Sequence, residues 1–295
     1  DAKPVYAFEQ IGSPTLMKLF RDNIGAEEVY ARDIIEAGER IREAKRKYGY
    51  STWELNTTHS FKLAGGDILH IKSAQIMCLY ALAQRVQALK HLLGGGISFE
   101  HGDSYKLAKK FLKQAREIGK LYRLTPEIIE RITGTLTTDQ KAYVDDMQQF
   151  VTETLGGKGN EVSRALYGID IFTEEIYFKI ESRETFISIG KQADSKNRTP
   201  DSLKNSAMTK ETVPNANNPI IIRDFDDVLL DSVEQMAKYH ALVLPIENMN
   251  RVLNYKTVDQ EGNHISVLSE IDRVHGKAAV DYIRKYISDL NGGVI

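Results

Sequence analysis

A long helix-type pattern broken once by proline constrains this chain more than any other feature. From Asn217 to Tyr255 the sequence reads NNPIIIRDFDDVLLDSVEQMAKYHALVLPIENMNRVLNY. Phe225, Leu229, Val233, Met236, His240 and Val243 recur at intervals of three and four, which sets them on one helical face that needs a core to cover it. Pro245 has no N–H for the Ala241 carbonyl and its ring crowds that oxygen, so the helix is expected to kink or stop there. The stretch holds no reaction-specific motif.

The remaining chain is large enough to supply that core. Its 295 residues, 42% hydrophobic and 27% charged, describe an ordinary globular protein of one large or two modest domains. We expect an N-terminal helical part over 1–155 with a hairpin near 58–72, and a C-terminal helical part over 156–295 with a long loop at 190–218. The two are expected to be continuous. The one cysteine, Cys78, excludes an intrachain disulfide and a CxxC metal site. Its setting in IMCLYAL points to a small buried filler. No apolar run reaches the roughly 20 residues of a membrane span, since Gln84, Arg85, Gln87, Lys90 and His91 interrupt Ala74 to Leu93. The start at Asp1 and the Gly-Gly pair before the last two residues lead to the expectation of a segment excised from a longer polypeptide.

Ser13-Pro14 reads as an N-cap with proline at the first helical position, opening a helix that turns Leu16, Leu19 and Phe20 inward. A second helix is expected from about Ala26 to Tyr48 as a surface helix, with a thin stripe of Val29, Ile34, Ile35 and Ile41. The alternating HSFKLA and DILHIK flank Gly65-Gly66, a hairpin signal in which both glycines accept positive φ. Ser73 then caps a largely apolar, central helix ending at Gly94-Gly95-Gly96. Further helices are expected at 104–122, 126–133, 138–155, 160–167, 265–274 and 277–290. Short β-like segments fall at 177–180, 185–189 and 219–222. The fold class expected is mainly α, an irregular multi-helix bundle with a small hairpin and a few short strands.

Several of these segments together resemble a helical region in the very large polyvalent proteins of tailed bacteriophages and related mobile elements. They are GSPTLMKLF at 12–20, QIMCLYALAQR at 75–85, HLLGGGI at 91–97, NEVSRALYGIDIFTEEIYFKI at 160–180, the 217–255 stretch, and HGKAAVDYIRKYISDLNGG at 275–293. The likeness is one of core and turn residues over nearly the whole chain. It implies a non-catalytic module without cofactor, located in the virion or the host cytoplasm. Its implied partners are other domains of a larger chain, phage or host proteins, or DNA or RNA, and not a membrane. No GxxxxGK[ST] loop or HExxH pair is present, so no catalytic residue is carried over.

Three constellations carry candidate chemistry. In SYKLAKKFLKQAREIGKLYR, Lys106, Lys109, Lys110, Lys113, Arg116 and Lys120 fall on one helical arc opposite Leu107, Phe111, Ala115, Ile118 and Tyr122. Such a face could follow a phosphate backbone or an acidic protein surface, although an ordinary solvated face is commoner. Residues 1–125 hold 20 Lys and Arg against 14 Asp and Glu, whereas the remainder holds 19 against 27, so the basic excess lies in the front half. Second, Asp224, Asp227 and Asp231 share a face, and Asp226-Asp227 with Asp231 resemble the aspartate-rich magnesium sites of all-helical diphosphate-processing enzymes, which gives the alternative of a metal-dependent enzyme with Asp227 and Asp231 as ligands. The spacing departs from DDxxD by one residue, and acids in a first turn are explained more simply by the helix dipole. Third, His240 with Glu247 two turns on has the pattern of a general base and orienting carboxylate. A core histidine bonded to a backbone carbonyl has the same pattern. Gly94-Gly95-Gly96 and Gly156-Gly157-Lys158-Gly159 follow predicted helices and read as terminators rather than phosphate loops.

Overall fold

The computed structural model describes residues 4–99, 121–172, 219–258 and 261–292. The protein is mainly helical, with small two-stranded β units among the described residues. Helix α1 (Pro4–Ile11) leads into α2, which spans Pro14–Lys47. Ser13 Oγ accepts the Leu16 N–H at 3.4 Å, and Leu16, Leu19 and Phe20 are buried as expected. The two helices predicted before residue 48 are one. Nothing at Gly25 breaks the turn, because Asn23, Ala26, Asp33, Ala37, Ile41 and Ala44 keep one face buried along its length. It is therefore a central rather than a surface helix, and Ile35 is exposed.

After a short 3-10 turn (Tyr50–Thr52), β1 (Thr58–Lys62) pairs antiparallel with β2 (Ile68–Lys72), Thr58 opposite Lys72 and Lys62 opposite Ile68. The predicted hairpin is present, but its turn differs. Leu63 O accepts the Gly66 N–H and Leu63 N–H donates to Asp67 O, so only Gly66 takes positive φ (86°). Helix α3 (Ser73–Ala83) is buried nearly all round. Ile76, Met77, Leu79 and Leu82 each contribute about 1.5–3 kcal/mol by leaving water. Cys78 lies in this core. The predicted helix to Leu93 is interrupted at Gln84-Arg85, and α4 covers Val86–Gly95. Arg85 N–H bonds Leu82 O, while the Ala81 carbonyl it would otherwise meet accepts Gln148 Nε2 at 2.9 Å. Gly96 then turns with φ 74°, and a Cβ there would stand 2.5 Å from Tyr122 O. Ile97 exchanges both backbone bonds with Tyr122, and β3 (Ile97–Ser98) runs parallel to β4 (Ile220–Ile221).

Helix α5 (Pro126–Thr133) matches its prediction, capped by Thr125. Helix α6 (Thr138–Gln149) passes through a π-helical segment (Phe150–Leu155) directly into α7 (Gly156–Tyr167). The Gly156-Gly157-Lys158-Gly159 run is therefore helical, and the expected terminator is absent. The proposed division at 155/156 also falls inside this continuous run. Buried positions recur here every four residues at Tyr143, Met147, Val151, Leu155 and Gly159. A plain α-helix drifts on that period, and a wider π turn takes up the drift. Helix α8 (Phe225–Leu253) runs unbroken through Pro245. Ala241, Leu242 and Val243 before the proline and Ile246, Met249 and Leu253 after it are all buried, so packing outweighs the missing hydrogen bond. A second hairpin, not foreseen, pairs β5 (Lys256–Val258) with β6 (His264–Ser266). Ser266 then caps α9 (Val267–His275), and α10 (Lys277–Gly292) follows.

Two cores result. The main one gathers α3, α5, α6, the π segment and the facing parts of α2 (Ala37 to Ala44) and α8 (Phe225 to Val243). The terminal one gathers Phe8, Leu16, Phe20 and Ala26 with Ile246, Met249, Ile283 and Tyr286. Phe8 stacks on Phe20 at 4.6 Å, and Tyr286 closes on both rings. Helices α2 and α8 belong to both cores.

Candidate functional site

Helices α2 and α8 lie antiparallel, with contacts from Asn23 to Met249, Asp33 to His240 and Lys45 to Asp226. Two groups of polar side chains lie along this pair. Between Ala26 and Ala37 the only buried residue on α2 is Asp33, at 1% exposure. Its Oδ2 lies 2.6 Å from His240 Nδ1, and its Oδ1 accepts Lys158 Nζ at 2.6 Å. Lys158 also donates to Glu36 at 2.9 Å, and His240 Nε2 lies 4.0 Å from Glu161. Burial raises the pKa of the Asp33 carboxyl. Hydrogen bonds from Lys158 and His240 outweigh that effect and hold it below its ordinary range. Burial pushes Lys158 down, and its bonds to Asp33 and Glu36 reverse this, so its ammonium stays charged.

Local sequence explains how Lys158 reaches α2. Gly159 lets α7 approach so closely that a Cβ there would stand 2.7 Å from Phe172 and 3.0 Å from Met236. Asn160 fixes the returning chain, its Oδ1 accepting the Phe172 N–H and its Nδ2 donating to Phe172 O. Sequence reasoning found His240 but not its partner, since the orienting carboxylate is Asp33 rather than Glu247 or a backbone carbonyl. The available signal was a carboxylate at a core position, four residues from both Val29 and Ala37.

A second polar group lies toward the other end of the pair. Asp226 Oδ2 accepts Lys45 Nζ at 2.6 Å and the Tyr50 hydroxyl, while Oδ1 accepts the Tyr143 hydroxyl at 3.0 Å. Burial first, and then Asp226 itself, raise the pKa of both phenols well above the ordinary tyrosine value. Tyr50, Trp53 and Tyr143 pack ring on ring at 5.1–5.6 Å, with Phe225 5.8 Å from Tyr143. Arg40 bonds Asp146 nearby. Asp226 thus anchors three side chains, a larger role than complementing a helix dipole. Asp224 is the N-cap residue of α8. Asp231 pairs with Arg223 at 2.5 Å. Among the described residues no group of three or more His, Cys, Asp or Glu is arranged to hold a metal ion. The basic arc from Lys106 to Lys120, the segments at 177–180 and 185–189, and the 190–218 loop lie outside the described residues. No described helix is long and apolar enough to cross a membrane.

Fold and site together define a two-core helical bundle whose shared helix pair is joined by buried ionic groups. Comparison with family models, with curated proteins and with solved structures finds no match.

Proposed function

We propose that this chain is a non-catalytic helical interaction module, of the kind carried by phage polyvalent proteins, that works by association with protein or nucleic acid. The supporting observation is that its chemistry-bearing side chains are committed to one another. Both oxygens of Asp33 and both of Asp226 are engaged by side chains from other segments, which joins helices rather than leaving a reactive group poised. A nucleic-acid-binding reading has its own support in the six cations from Lys106 to Lys120 and the basic excess of residues 1–125.

Binding of the chain to labelled single- and double-stranded DNA and RNA across a salt series separates the two. Tight binding with a steep salt slope, lost on reversing Lys109, Lys110 and Lys113 to Glu, would make nucleic acid the partner. Without binding at low salt, the protein-association reading predicts a complex with neighbouring domains of the parent polypeptide on co-expression. Absence of both would refute the proposal.

A further inference from the structure

We infer that the solvent face of α2 is a self-association surface, on which α2 of a second copy of this chain lies antiparallel across a two-fold axis. The helix repeats itself along its length. Residues 21–31, RDNIGAEEVYA, and 32–42, RDIIEAGERIR, share Arg, Asp, Ile, Ala and Glu at the same places, a period of 11. That step is about three helical turns, so repeated residues return to nearly the same face. Ala26 and Ala37 are buried, and core packing accounts for that part of the repeat. It does not account for Arg21 and Arg32, Ile24 and Ile35, or Glu28 and Glu39, all six of which are exposed. Ile24 is 37% exposed and Ile35 59%. A single exposed isoleucine is ordinary. Two on one stripe, about 16 Å apart and each followed by a glutamate and preceded by an arginine, make a pattern that a partner can read.

The partner that fits is the same stripe reversed. With the axis close to Ala31, Ile24 meets the partner's Ile35, Glu28 meets the partner's Arg32, and Arg21 meets the partner's Glu39, each contact occurring twice by symmetry. Ala31 is exposed and small, which lets two helices close where they cross. A parallel pairing would set Arg21 on Arg21 and Glu28 on Glu28, and like charges opposed across an interface are penalised. Within one chain these charges are loosely held. Arg32 stands 3.9 Å from Glu36 and Glu39 4.0 Å from Arg42, while Arg21 and Glu28 make no ion pair among the described residues. One helix face per partner is at the small end of specific interfaces, so association in the micromolar range is expected. The pairing stands whichever further partner the module takes.

Sedimentation equilibrium of the full chain at low salt, from about 1 to 100 μM, should show a reversible monomer–dimer equilibrium. Ile35→Asp and Glu28→Arg lie at exposed positions outside both cores, so they leave the fold intact, and each should weaken the dimer by about tenfold or more. Arg32→Glu should do the same. Mixing the Glu28→Arg chain with the Arg32→Glu chain should then restore a dimer of one copy of each, because opposite charges again face one another at both contacts. Two unfolded or merely destabilised chains would not restore each other. A native chain that stays monomeric throughout the range overturns the inference. So does a dimer indifferent to these substitutions, or a pair of weakened variants that gains nothing on mixing.

Discussion

Two neighbouring glycines in α7 should respond to alanine with opposite signs. At Gly157 no atom stands within 4 Å of a built Cβ and the backbone is helical, so Gly157→Ala gains helix propensity without a clash. The expected stabilisation is about 0.5–1 kcal/mol. At Gly159 the same propensity gain meets Phe172 Cε2 at 2.7 Å, Phe172 Cδ2 at 2.8 Å and Met236 Cε at 3.0 Å. Phe172 is 5% exposed and packs edge-on against Tyr239 at 5.0 Å, so its ring has little room to withdraw. Overpacking of this kind costs about 1–3 kcal/mol, which leaves Gly159→Ala destabilised by about 1–2 kcal/mol. Paired urea titrations and thermal melts decide the matter, at about 2 °C in Tm per kcal/mol for a chain of this size. Equal stabilisation by both substitutions would refute the close approach of α7 to α8, and with it the reach of Lys158 to Asp33.

Asp33→Asn should destabilise the protein by about 2–3 kcal/mol, less than a fully buried pair because Lys158 and His240 are partly exposed. Because the folded pKa of Asp33 is depressed, its contribution is present above its ordinary value of 3.8 and is lost as pH falls through the folded value. The stability gap between wild type and Asp33→Asn should therefore close below about pH 4 in melts taken from pH 5 to 2. Tyr143→Phe removes a 3.0 Å bond to Asp226 and should cost about 1–2 kcal/mol by urea titration. Tyr239 has a hydroxyl with no hydrogen-bond partner among the described residues, and burial pushes its pKa up to about 12. Between pH 10 and 12 the unfolded chain ionises there first, so stability should fall by about 1.4 kcal/mol per unit as pH rises. Tyr239→Phe should remove that share of the decline, leaving those of Tyr50 and Tyr143, and be neutral or stabilising at pH 7.

The sequence was most informative where local chemistry and packing agree. Ser13-Pro14 announces a helix that tertiary structure keeps, and the alternation around Gly65-Gly66 announces a hairpin with its strands in place. Punctuation misled where packing overrode it. Pro245 and the Gly156 to Gly159 run both sit inside helices, the first because apolar neighbours on both sides are buried, the second because α8 and Phe172 need the glycine's missing side chain. Gln84-Arg85 shows the reverse, a break without a breaker, where a glutamine 67 residues beyond Ala81 takes the Ala81 carbonyl. The site was half legible for the same reason. His240 stands out in an apolar face, but Asp33 and Lys158 lie 207 and 82 residues away in sequence, and only α2, α7 and α8 packed together bring them within 2.6 Å.

The placement of charge between the cores separates two explanations of the long helix pair. If α2 and α8 served only as struts, an apolar residue at Asp33 would continue the series Ala26, Ala37, Ile41, Ala44 and avoid desolvating a carboxylate. The chain instead sets a buried acid there and answers it with the Lys158 ammonium and the His240 imidazole, from different helices. Ion pairs of this kind contribute little net stability but specify one registry, because a shift of either helix leaves a buried charge unpaired. Asp226 sets the same requirement toward the other end of the pair through Lys45, Tyr50 and Tyr143.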